Sequence, residues 1–312
     1  VNDEAKESFQ RILKAGDILV RRAAEGLVGQ LDPDGRRAIL FNTLSWPRQG
    51  ELELEGLEEE LRPVAPTYSS QQVEDVTGTK KLVLEGPEIP TLGATVLDLE
   101  PGKNEKTSPF KRGKNTLETP YARVKFDKLG RITSYRLKSS GREVVEKGGA
   151  LNTFYLGEDV PEVWDNWDID REQQLRMEAE TRLEKQKVVS VGPLQLRIRS
   201  EWKIGRASTL KQDTVFHASS PMISFETKVD WQEKHQLLKV GFDLDVMSET
   251  ARHEMQFGHV DRPTHRNYPQ DAAKFEVCCH KWTDLADEGA GVAILNDCKY
   301  GISTHGKDVR LT

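Results

Sequence analysis

Three stretches in the second half of the chain alternate apolar and polar residues, and this pattern restricts the fold more than any other feature of the sequence. They run over residues 194–204, 223–231 and 238–246. A period of two places successive side chains on opposite faces of a strand, so each stretch predicts a strand with one apolar and one polar face. Strands of this kind are typical of antiparallel sheets. Residues 194–246 therefore predict a large antiparallel β-sandwich.

The polar faces of these predicted strands carry long charged side chains. Arg197 and Arg199 lie on the polar face of the first stretch, and Lys239 lies on that of the third. Because the opposite faces are apolar enough to form the core, we expect these charged faces to contact water.

The chain opens on a stretch with helical rather than alternating spacing. Between Ala5 and Leu27, apolar residues recur at intervals of three and four, which predicts one amphipathic helix within residues 1–31. The turn residues Asp32-Pro33-Asp34-Gly35 follow it. Since this helix has no helical neighbour in the sequence, we expect that it packs on helices preceding Val1 and ends a helical bundle. The chain thus has the character of a piece cut from a longer protein.

Short alternating runs separated by prolines fill the next segment. They predict a small antiparallel β-sandwich over residues 33–100. The polar stretch Pro101–Asn115 is rich in Lys, Pro and Gly, which is typical of a linker. We place the large sandwich over residues 108–312 and expect it to continue past Thr312. The predicted fold class is therefore mainly β, with one N-terminal helix.

Composition narrows the classes of partner. The net charge is -6 and no basic stripe is present, which argues against nucleic acid. No run of about 18 apolar residues occurs, so no membrane-spanning helix is predicted. Cys278 and Cys279 are adjacent and Cys298 is distant, which is not a disulfide framework and favours a reducing cytoplasm. Association into a homo-oligomer remains an open alternative.

A polar stretch with no clean period runs from Gly258 to Gln270, and polar segments between strands often carry binding residues. Arg262 and His265 flank Pro263-Thr264 and are our candidates for gripping a hydroxylated or anionic ligand. The alternative for Arg262 is an ion pair with Asp261 on the surface. The His and Cys residues of this region show no metal-binding spacing, so we predict no metal site in this chain.

A second candidate site is the sequence WDNWDID. It places Trp164 and Trp167 beside Asp165 and Asp168, a combination suited to a sugar, whose C–H face stacks on aromatic rings and whose hydroxyls donate to carboxylates. Paired carboxylates also serve glycoside hydrolysis. The alternative is a turn whose Trp side chains fill the core and whose Asp side chains bond to backbone.

Several segments together resemble one family, the glycoside hydrolase family 38 α-mannosidases, in their cytosolic and bacterial branch. The resemblance covers nearly the whole chain in the order of that family. It rests on the segments FNTLSWPRQGELEL, ETPYARVKFDKLGRITS, VWDNWDID, SSPMISFETKVDWQEKHQLLKVGFDLDV and the region from Gln256 to Ser303.

This resemblance implies a galactose-mutarotase-like supersandwich for residues 108–312. It also implies a retaining, zinc-dependent α-mannosidase acting on a mannose-containing oligosaccharide through a covalent glycosyl-enzyme. The zinc ligands and the nucleophile of the family fall before Val1, so no catalytic residue is expected here and this chain alone should be inactive. Loops of the large sandwich return toward the catalytic domain, which implies substrate contacts for Arg262 and His265. Gly93-Ala94 departs from the Gly-Tyr of many relatives, so a Tyr contact there is in doubt.

Two other classes of function remain open from the residues alone. One is a stand-alone carbohydrate-binding or scaffolding module that uses Trp164 and Trp167 as a platform. The other is a mutarotase-like enzyme that uses His259 or His265 with a carboxylate, although no His has an evident carboxylate partner in the sequence.

Overall fold

A computed structural model describes residues 2–28, 37–57, 59–103, 107–165 and 167–312. The fold is mainly β, with antiparallel pairing in its sheets. The chain divides into two compact units, Val1–Val73 with Lys80–Lys106 and Glu74–Thr79 with Thr107–Thr312. The mainly β fold class is thereby confirmed, whereas the boundaries predicted for the domains remain a prediction.

One helix, α1, covers Asn2–Val28. Asp3 and Glu4 lie in its first turn, where their charges complement the helix dipole. Its apolar side chains Phe9, Leu13 and Leu19 are exposed. The helix predicted from the spacing is thus present, and its membership of a bundle remains a prediction. The turn predicted at residues 32–35 lies outside the described residues.

The smaller unit contains two three-stranded sheets, β1-β6-β3 and β2-β5-β4. Leu82 and Leu84 from one sheet and Leu97 and Leu99 from the other form a single apolar cluster, as expected for two sheets packed face to face. The strands are β1 (Arg37–Phe41), β2 (Leu52–Glu55), β3 (Leu61–Pro63), β4 (Ser69–Glu74), β5 (Lys80–Glu85) and β6 (Ala94–Pro101).

The larger unit contains the remaining strands and two short helices. The strands are β7 (Lys111–Arg112), β8 (Thr116–Glu118), β9 (Ala122–Phe126), β10 (Ile132–Leu137), β11 (Leu151–Glu158), β12 (Glu178–Ala179), β13 (Leu183–Val191), β14 (Gln195–Ile204), β15 (Ser208–His217), β16 (Ile223–Asp230), β17 (Gln236–Asp243), β18 (Thr250–Met255), β19 (Gly258–Pro263), β20 (Val277–Cys278), β21 (Trp282–Ala286), β22 (Gly291–Leu295), β23 (Gly301–His305) and β24 (Asp308–Leu311). The helices are a 3₁₀ helix, η1 (Arg171–Arg176), and α2 (Pro269–Ala273).

Three sheets of this unit share one core. They are a ten-stranded sheet built around β24-β17-β11-β10-β9, the sheet β13-β14-β15-β16, and the sheet β19-β18-β21-β22. Val124, Leu196 and Leu285, one from each sheet, belong to the same buried cluster. The sheets therefore bury their apolar faces together, as the alternation predicts.

The prediction that the charged faces of β14 and β17 contact water is wrong for Arg197, Arg199 and Lys239, although Lys203 on the same face of β14 is exposed. Arg197 is 0% exposed, Arg199 5% and Lys239 1%. Arg197 donates to both carboxylate oxygens of Glu226 at 2.7 and 2.9 Å, and Arg199 donates to Asp213 at 2.7 and 2.8 Å. The alternation assigns each residue to the correct face, but tertiary packing covers both faces, and burial is tolerated because each charge has a partner.

The region around Arg262 is also more regular than its sequence indicates. Residues Gly258–Pro263 form β19, which pairs with β18 in a hairpin, and Pro269–Ala273 form α2. Strand structure after α2 begins only at Val277. Cross-strand partners such as Arg252 and Asp261 hold the hairpin, and this pairing is invisible in the spacing of one strand.

The predicted linker is also partly regular, because β7 covers Lys111–Arg112 and residues 104–106 lie outside the described part. Across the described ranges, no helix is both long and apolar enough to span a membrane.

Candidate functional site

Both tryptophans of WDNWDID are exposed to solvent. Trp164 is 72% exposed and Trp167 is 89% exposed, so the interpretation that they fill the core is wrong. They lie on the segment 162–170, here called the tryptophan loop, of which Asn166 is outside the described residues. Val160 and Val163 beside them are also exposed, and contiguous exposed apolar surface often marks a binding site, which makes the loop a candidate site.

The carboxylates of the tryptophan loop do bond to backbone, as the alternative interpretation expected. Asp168 accepts a hydrogen bond from the Ile169 amide at 2.9 Å. Asp170 accepts one from the Glu162 amide at 3.0 Å, which joins the two ends of the loop. The loop is therefore a closed turn that holds its aromatic side chains outward.

Two residues with strained backbone, Trp164 and His235, lie at a contact between a carboxylate and a His in this region. Asp165 Oδ2 lies 4.0 Å from His235 Nδ1, a carboxylate partner for a His that the sequence did not reveal. Trp164 has a φ of 62° and His235 a φ of 53°, values that cost non-glycine residues about 1–3 kcal/mol each. Strain of this kind is often retained at binding sites, which supports a functional reading of the loop.

Arg262 does not pair with Asp261. Its guanidinium donates to the carbonyl of Cys278 at 2.9 Å, whereas Asp261 pairs with Arg252 at 2.9 Å. Arg252 lies directly opposite Asp261 in the β18–β19 hairpin, and Arg262, one residue further, points to the other face. The surface-pair alternative for Arg262 is therefore wrong.

His265 follows β19 and has a carboxylate close by. Its Nδ1 lies 3.5 Å from Asp271 Oδ2 in α2, and the same Nδ1 has no hydrogen bond among the described residues. His265 thus turns its buried Nδ1 toward Asp271, while its side chain as a whole is 40% exposed.

Hydrogen bonds join the segment after β19 to η1, the helix that directly follows the tryptophan loop. Arg266 donates to the Gln174 side-chain oxygen at 3.1 Å, and Gln174 donates to the Phe275 carbonyl at 3.0 Å. The structure therefore links the two predicted stretches through η1, whereas Arg262 remains bound to Cys278.

A small cleft at the base of the tryptophan loop contains residues that the sequence did not single out. It lies between the end of β11 and η1, and its lining includes Asp159, Asp170 and Gln173. Burial and the negative charges of Asp165 and Asp170 raise the pKa of Asp159. Nothing in the spacing identifies Gln173, because η1 is a six-residue 3₁₀ helix in a highly charged segment without an apolar period.

No group of three or more His, Cys, Asp or Glu side chains in the described part of the chain is arranged to hold a metal ion. The described residues therefore do not fit a zinc site. The Cys278 Sγ lies 3.9 Å from His280 Nε2, and Cys279 is buried.

Two β units, each with its own apolar core, and an aromatic, carboxylate-bearing loop define a β-sandwich protein with a candidate carbohydrate site. The model of the glycosyl hydrolases family 38 C-terminal domain matches residues 117–312. The chain belongs to glycosyl hydrolase family 38 and contains its C-terminal domain.

The relatives agree with this assignment. The chain is 35% identical over 322 residues to alpha-mannosidase 2C1 of Homo sapiens, a match covering 100% of this chain and 29% of that protein. It is 38% identical over 191 residues to alpha-mannosidase G of Dictyostelium discoideum, covering 59% of this chain and 17% of the relative. The chain thus spans less than a third of the length of these curated relatives.

A solved structure shares the fold. The crystal structure of an alpha-mannosidase from Enterococcus faecalis V583 superposes with a TM-score of 0.72 at 15% identity, covering 96% of this chain and 42% of that chain. At this level of identity the similarity establishes the fold alone.

Proposed function

We propose that this chain is the β-rich C-terminal part of a retaining, metal-dependent α-mannosidase that acts on a mannose-containing oligosaccharide. The observation that carries the proposal is the match to alpha-mannosidase 2C1 over 100% of this chain, together with the family 38 C-terminal domain at residues 117–312. The two units correspond to sandwiches that support an active site carried by a separate N-terminal catalytic domain.

The catalytic groups and the zinc of the parent enzyme belong to that catalytic domain. The described residues of this chain offer no cluster of ligands for zinc. In a retaining glycosidase, two carboxyl groups about 5–5.5 Å apart act as nucleophile and as acid/base. The role of this chain is to bind and orient the sugar.

Five residues are the proposed substrate contacts. Arg262 presents a guanidinium fixed by the Cys278 carbonyl, a preorganised donor for a sugar hydroxyl. His265, 3.5 Å from Asp271, donates or accepts according to its tautomer. Trp164 supplies an exposed aromatic face, and Asp165 and Asp168 supply acceptors beside it.

The test is hydrolysis of an aryl α-mannoside. The full-length protein is expected to hydrolyse it, to lose activity with a chelator, and to release mannose first as the α-anomer in proton NMR. The 312-residue chain alone is expected to be inactive. Turnover by the chain alone would show that catalytic groups lie within it, and failure of the full-length protein with metal supplied would refute the proposal.

A stand-alone carbohydrate-binding module is the second candidate, and the exposure of Trp164 and Trp167 favours it. It predicts that the chain binds mannose oligosaccharides and that no longer form of the protein hydrolyses them. The mutarotase-like alternative would use His265 with Asp271, which lies 3.5 Å away, but neither residue lines the cleft at the base of the tryptophan loop.

The cellular setting is part of the proposal. A reducing cytoplasm is supported by the free state of Cys278, Cys279 and Cys298. Sedimentation of the purified protein would decide between a monomer and a homo-oligomer.

A further inference from the structure

The cleft at the base of the tryptophan loop is small and polar. It has about 10 Å³ of space, room for one water-sized group, and its lining includes Glu158, Asp159, Pro161, Asp170, Gln173 and Arg176. Pockets that enclose a whole drug-sized ligand measure roughly 300–1,000 Å³. This cleft therefore takes one substituent of a ligand whose remainder lies outside.

The walls of the cleft offer hydrogen-bond acceptors. The Gln173 side chain is 3% exposed, and its Oε1 has no hydrogen bond among the described residues. Its Nε2 donates to the Met177 sulfur at 2.8 Å, which fixes the direction of the amide. A buried acceptor without a donor is unfavourable, and a ligand group that donates to it removes that penalty.

Carboxylates extend this acceptor surface. Asp159 and Asp170 both line the cleft, and burial together with neighbouring carboxylates raises the pKa of Asp159. Arg176 contributes a positive charge to the lining, and the Lys239 ammonium also acts on Asp159. Arg176 is paired with Glu158 at 3.1 Å, which leaves the Asp159 and Asp170 carboxylates as acceptors. The space admits a hydroxyl but is too small for a quaternary ammonium group, so a neutral ligand rich in hydroxyls fits the cleft best.

The tryptophan loop provides the second half of the site. The Glu162 amide donates to Asp170, so the base of the loop and the cleft share Asp170. Trp164 is three residues from Pro161, and Trp167 is three residues from Asp170. At about 3.6 Å per residue, each Trp backbone lies within about 11 Å of a cleft residue, close enough for one oligosaccharide to reach both.

We propose that the cleft and the tryptophan loop form one binding site for a neutral oligosaccharide. A hydroxyl-bearing substituent of one sugar enters the cleft and donates to Gln173 Oε1 and Asp159. The C–H faces of adjoining sugars stack on Trp164 and Trp167. The inference rests on the proposed function for the identity of the sugar as mannose, and it adds the cleft, Gln173 and Asp159 to the residues that bind it.

The test is calorimetric titration of the 312-residue chain with α-linked mannotriose, with maltotriose and choline as comparison ligands. Trp164→Ala and Trp167→Ala are each expected to weaken mannotriose binding about fivefold or more. Gln173→Leu, which keeps the volume but removes the acceptor, is expected to weaken it about fivefold while the melting temperature stays the same or rises. Trp46→Ala is the matched control, since Trp46 is 58% exposed in the smaller unit.

The outcomes separate this inference from the proposed function. Binding that falls in the three site variants and persists in Trp46→Ala supports the site. Absence of mannotriose binding at millimolar concentration, binding unchanged by Gln173→Leu, or preference for choline would overturn it. Hydrolysis of the aryl α-mannoside by the unaltered full-length protein tests the proposed function, whereas the titration tests the binding site. Either proposal can therefore fail while the other stands.

Discussion

Lowering the pH tests the packing around His253 in β18, because burial disfavours the protonated form of this side chain in the folded state. Its side chain is 0% exposed, its Nδ1 lies 3.0 Å from Thr283 Oγ1, and its Nε2 has no hydrogen bond among the described residues. Burial, followed by the positive charge of Arg262, lowers the pKa of His253 from 6.5 to about 4, and Asp261 opposes this shift.

The sign of the effect follows from proton binding. Between pH 6.5 and about 4 the unfolded state carries the proton and the folded state does not, so the free energy of unfolding decreases as the pH falls. The contribution of His253 is complete above pH 6.5 and lost by about pH 4. A shift of about 2.5 pH units corresponds to about 3 kcal/mol.

The perturbation is His253→Gln, which keeps a polar group for Thr283 and does not titrate. We expect the difference in unfolding free energy between wild type and variant to fall by about 3 kcal/mol from pH 7 to pH 4. Hydrogen exchange of the buried backbone amides in β18 measures this difference in unfolding free energy within the larger unit. His259→Gln, at an exposed position on β19, is the control and is expected to retain the wild-type profile. A pH-independent difference, or an NMR titration of His253 centred near 6.5, would refute the reasoning.

Three further predictions concern buried charges and an exposed one. Asp213→Ala removes the buried carboxylate partner of Arg199, which keeps only the exposed Glu74 at 3.3 Å, and is expected to lower the free energy of unfolding by about 3 kcal/mol in urea titration; a loss below 1 kcal/mol would contradict it. Asp17→Ala, which breaks the exposed pair with Arg21, serves as its control and should cost about 0.5 kcal/mol or less. Lys239→Met leaves Glu276 buried without its cation and is expected to cost about 3 kcal/mol, whereas Lys239→Met with Glu276→Gln should recover most of that loss; no recovery would show that the pair is not the cause.

Three of the long strands could be predicted from the sequence, whereas β15, which is as long as β14, was not predicted. The stretch 194–204 became Gln195–Ile204, 223–231 became Ile223–Asp230, and 238–246 became Gln236–Asp243. Alternation is a local property, and the pleat of a strand converts it directly into two faces. The strands β3 and β4 of the smaller unit were not predicted, because their short sequences lack that alternation.

The candidate site was only half predictable. The residue types of WDNWDID indicated a carbohydrate site, but whether Trp164 and Trp167 were buried depended on contacts outside the loop. The partner of Arg262 depended on the register of the β18–β19 hairpin, which opposes Asp261 to Arg252. Gln173 gained significance only from the cleft around it.

The sequence by itself determined which residues share a face, where the initial helix runs, and to which family the segments are similar. The tertiary structure decided which of those faces meet water. Arg197, Arg199 and Lys239 lie on the face that alternation assigned to them, yet all three are buried, since other parts of the larger unit cover that face and supply Glu226, Asp213 and Glu276 as partners. A period of two reports the direction of a side chain from its own strand, whereas burial depends on residues distant in sequence, which no local pattern records.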